Sequence, residues 1–294
     1  MSVLVGGGSG FIGRHLTKVL KDKGMTVTMV SREAGPSRIT WSDIQRNGLP
    51  HECTAVVSMS GENILNPMKK WDDNFKAAVW SSRVDCTRTL ANAIISAKNP
   101  PRVFISFSGV GFYKPDPVKE YDEESPGGNF DFLSRLCTEW EAAAKLPKDI
   151  GVRQVILRCG VVLGRDGGMI KQIYWPFFFG AGGRIGAGTQ WFPWIHVADV
   201  AGIVTHAIEN DKVSGILNAV APHPATNAEF TKTFASALRR LAVFPIPGFV
   251  MNFAYGPERG KVVLEGQKVI PKRTLQSGYK FVFPDLTSAC RDLT

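Results

Sequence analysis

A chain of 294 residues is enough for one large domain, or for a domain with a smaller lobe. With 44% hydrophobic and 21% charged residues it belongs among ordinary folded proteins, and no apolar run is long enough to cross a bilayer. The formal charge of +9 would suit a nucleic acid or an anionic membrane, yet its cations are scattered and no basic helix is interleaved with aromatics. That favours a basic protein binding anionic nucleotides, with neither nucleic acid nor membrane as partner. The five cysteines (Cys53, Cys86, Cys137, Cys159, Cys290) lack C-x-x-C spacing, which argues for a reducing compartment and against both a disulfide framework and a metal site. Strand-like sequence starts almost at Met1, leaving no room for a cleavable presequence. A soluble intracellular protein, cytoplasmic by default, is therefore expected; a mitochondrial address without a cleaved leader stays open.

The run Val3-Leu4-Val5 meets Gly6-Gly7-Gly8-Ser9-Gly10-Phe11-Ile12-Gly13 and then a helical pattern with Ile12, Leu16, Val19 and Leu20 on one face. Gly7, Gly10 and Gly13 have the spacing that turns a strand sharply into a helix, lets backbone approach a pyrophosphate and packs the helix on its sheet. The helix N-terminus would hold the phosphates. A strand over Thr26 to Val30 completes a β-α-β unit. Where an acid commonly takes the ribose hydroxyl, this chain has Ser31 and Arg32, which suit a 2′-phosphate; Glu33 keeps the alternative cofactor open.

Further on, Thr54 to Met59 reads as a strand buried on both faces, ending in Ser60-Gly61-Glu62-Asn63. Met59, Ser60, Gly61 and Glu62 should then face the cofactor. One long helix is predicted from Trp71 to Lys98, with Arg83 placed to reach back to the cofactor edge or to form a surface ion pair. The strand Arg102 to Phe107 leads to Ser108 and Tyr113. A loop from Lys114 to Gly128, a helix from Phe132 to Lys145 and a strand from Val152 to Cys159 follow. Residues 180–186 form a second glycine cluster, but no suitable helix follows it and no second phosphate site is assigned. A helix ending near Glu209, a strand over Ile216 to Val220, a helix from Asn227 to Leu241 and a proline-punctuated tail complete the chain.

Together these elements predict an α/β fold: a Rossmann-type doubly wound parallel sheet. A nucleotide-binding core would occupy 1–165. Residues 166–294 would complete that core and add a small C-terminal α/β lobe for substrate.

The glycine run, the Ser108 strand end, Leu157-Arg158-Cys159-Gly160-Val161-Val162-Leu163-Gly164 and Trp194-Ile195-His196-Val197-Ala198-Asp199-Val200 resemble the extended short-chain dehydrogenase/reductases of the NAD-dependent epimerase/dehydratase group. Ser60-Gly61-Glu62-Asn63-Ile64, the helix from Phe132 to Glu141 and the tail Pro271 to Phe281 are similar to one atypical branch, group 39U. The resemblance covers the whole chain. It implies NADP(H) as cofactor, held by Gly7, Ser9, Gly10, Phe11, Ile12, Gly13, Ser31, Arg32, Met59, Ser60, Gly61, Glu62, Arg83 and Val162. It implies an oxidoreductase or epimerase acting on a small carbonyl or sugar-like substrate. By analogy with related enzymes, a homodimer through the helices beginning near Trp71 and Phe132 is open.

One departure matters. The wider superfamily uses a serine with a tyrosine and a lysine four apart on a helix. Here the candidate pairs are Asp131/Arg135, Phe132/Leu136 and Leu133/Cys137, none of them Tyr/Lys. Ser108 remains as a candidate catalytic residue, and Tyr113 is the nearest phenol that could replace the missing acid. A catalytically silent NADP(H) sensor or an assembly protein is the competing expectation.

Overall fold

Residues 1–66 and 68–294 are described by a computed structural model. Their elements run β1 (Ser2–Gly6), α1 (Phe11–Asp22), β2 (Thr26–Ser31), β3 (Arg38–Thr40), α2 (Trp41–Asn47), β4 (Cys53–Ser58), α3 (Asp73–Ser81), α4 (Val84–Ile95), β5 (Val103–Gly109), β6 (Asp116–Tyr121) and α5 (Phe132–Ala143). The remainder is β7 (Arg153–Cys159), β8 (Val161–Leu163), α6 (Gly168–Phe178), β9 (Trp194–His196), α7 (Val197–Glu209), β10 (Gly215–Ala219), α8 (Asn227–Ala237), α9 (Gly248–Tyr255), α10 (Pro257–Leu264), β11 (Gln267–Val269), α11 (Lys272–Gln276) and α12 (Leu286–Asp292). Among the described residues no helix is long and apolar enough to cross a membrane.

Seven strands form one parallel sheet in the order β10-β7-β5-β4-β1-β2-β3. The chain winds outward from β1 to β3, then crosses back to β4. The winding reverses between β1 and β4, and a crevice opens there beyond the carboxyl ends of the strands. Both faces of the sheet are covered, which is why its strands read as unbroken apolar runs. Leu4, Val56 and Phe104 join Ile44 of α2 and Leu90 and Ile94 of α4. Their neighbours Val3, Val5, Val57 and Ile105 point the other way, into a cluster with Leu16 and Leu20 of α1 and Val200 and Val204 of α7. Each such buried side chain contributes ~1.5–3 kcal/mol.

Two buried carboxylates fasten the C-terminal lobe to this core. Glu123 accepts hydrogen bonds from the backbone N–H groups of Asn218 (3.0 Å), Arg273 (3.0 Å) and Thr274 (3.3 Å). Asp199 accepts from the Tyr279 hydroxyl (2.9 Å) and from the N–H groups of Val282 (2.7 Å) and Phe283 (3.0 Å).

Three expectations need correction. The helix expected over Trp71 to Lys98 is two helices, α3 and α4. The break falls where Ser82 Oγ accepts from the Glu62 N–H (3.0 Å) and Arg83 donates to the Glu62 carbonyl (2.9 Å), so the joint serves the loop after β4. The segment Lys114 to Gly128 holds a strand, β6, paired in parallel with β11. The helix expected to reach Leu241 stops at Ala237, and the chain turns through Arg239 at a φ of +56°.

Candidate functional site

Gly7, Gly10 and Gly13 each answer a different steric demand. Gly7 has a φ of +85°, and a Cβ there would lie 2.8 Å from the Ser60 nitrogen. Gly13 lies against the Gly7 carbonyl and the Gly8 backbone, so only a bare Cα lets α1 close on β1. A Cβ on Gly10 would meet only the Gly7 carbonyl oxygen, at 3.3 Å, and would otherwise project into open space. Gly10 is also the N-cap of α1 and offers no side-chain cap. The first N–H groups of α1 are therefore left for an anion, with the positive end of the helix dipole behind them.

Other expected residues sit around this cradle. Met59 extends the β4 pairing, its N–H donating to the Gly6 carbonyl (3.0 Å). Ser60 Oγ is buried and has no hydrogen-bond partner among the described residues. Ile12 and Val162 pack against the core, and Val162 pairs with Ile195 where β8 meets β9. The Phe11 ring lies over Gly164, Gly167 and Gly168 and packs edge-on against His15, centroids 5.6 Å apart. Phe11 thus clamps the turn to the loop after β8.

At the end of β2 the Ser31 hydroxyl hydrogen-bonds to the Glu33 carbonyl and accepts from the Glu33 N–H, shaping its own turn. Arg32 is exposed and makes no hydrogen bond or ion pair among the described residues. A groove of about 380 Å³ along α1 and β2 is lined by Gly8, Ser9, Arg14, Lys18, Met29 and Arg38, among others. Arg38 stands opposite Met29 in the β2–β3 register. Arg14 and Arg38 were not expected from the sequence. Arg14 directly follows the third glycine, a signal that was available, whereas Arg38 becomes visible only once β3 is paired.

Arg83 is engaged by its own chain. Its guanidinium donates to the Val79 (3.1 Å) and Glu62 (2.9 Å) carbonyls and lies 5.4 Å from the Trp140 ring. Burial pushes its pKa down to about 10. It fixes the Gly61-Glu62 stretch from behind, since a Cβ on Gly61 would lie 2.9 Å from the guanidinium carbon.

The end of β5 has a different character. Of the three candidate pairs on α5, Leu133/Cys137 is the one facing this strand end. A Cβ on Gly111 would lie 3.3 Å from Leu133, and one on Gly109 would lie 3.4 Å from Cys137 Sγ. One turn further along α5, Glu141 accepts a hydrogen bond from Ser108 Oγ (2.8 Å). Glu141 also accepts from Arg158 Nε (2.8 Å) and Nη2 (2.9 Å), and Arg158 Nη1 donates to the Tyr113 hydroxyl (2.9 Å). That hydroxyl donates in turn to Asn218 Oδ1 (2.8 Å). Tyr113 has 0% of its surface exposed, and burial raises its pKa despite the nearby Arg158. It is therefore not placed to protonate a substrate; it is a strut between Arg158 and Asn218. Cys137 is buried too, with its thiol pushed up to about 11, so it is not a thiolate nucleophile at neutral pH. Sequence reasoning missed Glu141, although it lies four residues beyond Cys137 on the same helical face.

The family model described as NAD dependent epimerase/dehydratase family matches residues 3–219. The chain belongs to that family. Residues 246–293 match a second model, described as a domain of unknown function, DUF1731. Among relatives in this family, the human epimerase family protein SDR39U1 is 52% identical over 293 residues, spanning 100% of this chain and 99% of its own. The Bacillus subtilis epimerase family protein YfhF is 34% identical over 302 residues, spanning 100% and 98%. A crystal structure of the human protein with NADPH superposes with a TM-score of 0.98, covering 100% of this chain and 99% of that one. The UDP-N-acetylglucosamine 4-epimerase of Bacillus cereus, at 16% identity and a TM-score of 0.76 over 100% of this chain and 98% of its own, shares the fold.

Proposed function

We propose that the chain binds NADP(H) across the crevice over β1 and β4 and acts as an oxidoreductase or epimerase on a small carbonyl or sugar-like substrate. The observation that carries the cofactor assignment is the combination of an uncapped α1 N-terminus with the unpaired Arg32. Gly10 leaves room for the pyrophosphate, and the N–H groups of α1 hold it. The guanidinium of Arg32 suits a phosphate on the ribose and is wasted on a hydroxyl. Arg14 and Arg38, lining the groove along α1 and β2, add positive charge there. The buried Ser60 Oγ, otherwise without a partner, gains one from a ligand in the crevice. The 52% identical human relative crystallised with NADPH supports the same assignment. When bound, the nicotinamide would take up a hydride as a substrate hydroxyl gives up its proton, or return it in the reverse direction as the carbonyl oxygen regains one.

The proton side of the reaction falls to Ser108. Its hydroxyl hydrogen is directed at Glu141, so its lone pairs are what it can offer a substrate. That polarity suits accepting a proton from a substrate hydroxyl and passing one to Glu141. The two hydrogen bonds from Arg158 fix the Glu141 carboxylate beside Ser108.

The same network favours a second reading, a nucleotide-binding sensor or assembly protein without turnover. Equilibrium titration with NADPH and NADH side by side tests the cofactor. Single-turnover mixing of the NADPH complex with a panel of aldehydes, ketones and nucleotide sugars tests the chemistry. Tight NADPH binding with cofactor oxidation supports the enzyme, and tight binding without oxidation supports the sensor. Absence of binding overturns both.

A further inference from the structure

The C-terminal half carries an apolar surface that the cofactor site does not use. On α6, Trp175 is 59% exposed, and just beyond that helix Phe179 is 75% exposed, their rings stacked 5.9 Å apart. After α8 the chain exposes Leu241 and Phe244, then Phe249 and Phe253 at 73% and 93%. The last two lie one turn apart on the same face of α9, a helix with no buried residue. The two segments adjoin. Arg240 donates to the Phe178 carbonyl (2.8 Å) with its guanidinium 4.9 Å from the Phe178 ring, and the Ile246 N–H donates to the Arg184 carbonyl (2.8 Å). α9 runs beside α10, and its Phe249 and Phe253 are left to solvent.

The charge pattern identifies what covers this surface. Residues 168–186 contain Lys171 and Arg184, and residues 239–257 contain Arg239 and Arg240. Neither segment contains an aspartate or a glutamate. A second copy of the chain docked face to face would bring these four cations against themselves. An anionic bilayer offers the opposite charge at headgroup depth and an apolar layer just beneath. Tryptophan and phenylalanine flanked by arginine and lysine match that boundary. We infer that this face, built from the α6 C-terminus and the 239–253 segment, docks peripherally on the surface of an anionic lipid bilayer. Phe249 and Phe253 enter the headgroup boundary, and Lys171, Arg184, Arg239 and Arg240 meet the lipid phosphates. Sequence alone favoured no membrane partner because the cations are scattered along the chain; the fold joins the two segments that carry these four through Arg240 on Phe178 and Ile246 on Arg184.

Vesicle flotation with the full chain tests this, comparing pure phosphatidylcholine with vesicles containing about a third phosphatidylglycerol. Binding is expected to the anionic vesicles and to weaken with salt. The double variant Phe249→Ser/Phe253→Ser is expected to bind more than tenfold less tightly, with an unchanged melting temperature because both rings are exposed. The variant Lys171→Glu/Arg184→Glu checks the electrostatic half and should likewise lose more than tenfold. Failure of the unmodified chain to bind anionic vesicles overturns the inference. So does binding that is indifferent to the two phenylalanines, which would be charge attraction alone. A chain that leaves vesicles unbound and passes from dimer to monomer in the phenylalanine variant would assign the face to self-association instead.

Discussion

The sheet presents two neighbouring strand ends that face opposite ways energetically. Over β1 and β4 the backbone donors at the α1 N-terminus, Ser60 Oγ and the Arg32 guanidinium lack protein partners among the described residues. Over β5 and β7 a chain of side chains is engaged with itself: Ser108 with Glu141, Glu141 with Arg158, Arg158 with Tyr113, Tyr113 with Asn218. An end with unmet hydrogen-bonding capacity gains free energy from a ligand, whereas a saturated one gains stability from its own chain. One fold can thus keep the nucleotide half of a site open while tying the proton-transfer half, Ser108 included, into a hydrogen-bonded network.

The largest effect should come from cutting the saturated end. Arg158→Met leaves Glu141 charged and nearly buried, at an expected cost of ~3–5 kcal/mol in unfolding free energy, read by denaturant titration. Adding Glu141→Leu should recover most of it. If the single variant costs nothing, the contrast between the two ends fails. Arg32→Ala acts at the open end. It should weaken NADPH by ~1.5–3 kcal/mol and leave both NADH affinity and stability unchanged in parallel titrations.

Two glycines sharpen the comparison within the open end itself. Gly10→Val should abolish NADPH binding with only a modest fall in melting temperature, because in the free protein its Cβ meets only the Gly7 carbonyl oxygen, at 3.3 Å. Gly7→Ala should lower the melting temperature, through ~1–3 kcal/mol of backbone strain and crowding against Ser60. A similar melting loss in both would make the turn purely structural. Tyr113→Phe removes one hydroxyl from the closed network and should cost ~1–3 kcal/mol of stability. Any reaction detected should keep its pH profile; a shifted profile would return Tyr113 to the chemistry.

The smallest expected effect is a pH dependence away from both ends. His196 is buried, which lowers its pKa against the opposing pull of Asp292 and Asp199. Its Nε2 is 3.2 Å from Asp292 Oδ2 but out of line for a hydrogen bond. The folded pKa lies below the unfolded one, so the contribution is complete above pH ~6.5 and is lost as pH falls below it. His196→Asn should flatten that part of the stability curve.

Local features were legible in the sequence. The glycine turn and Ser31-Arg32 occupy contiguous positions whose steric and charge requirements belong to a short backbone segment. Six of the seven parallel strands likewise followed from apolar runs separated by helical patterns. What stayed hidden depends on pairings made at long range. Tyr113 looked available because its partners, Arg158 and Asn218, lie 45 and 105 residues away. The strand β6 looked like loop because its partner β11 begins at Gln267. Arg83 looked free because the Glu62 carbonyl it grips belongs to the preceding loop.

Glu123 and Asp199 carry a consequence for the order of assembly. A ribosome delivers both carboxylates before the backbone groups that neutralise them, at residues 273–274 for one and 282–283 for the other. Until then both carboxylates lack these donors, and the emerging chain gains by keeping them in water. Docking of the C-terminal lobe on the nucleotide-binding half therefore waits for those residues. A nascent chain released early, lacking the tail, would carry a Rossmann half with two uncompensated charges, a natural target for proteolytic clearance.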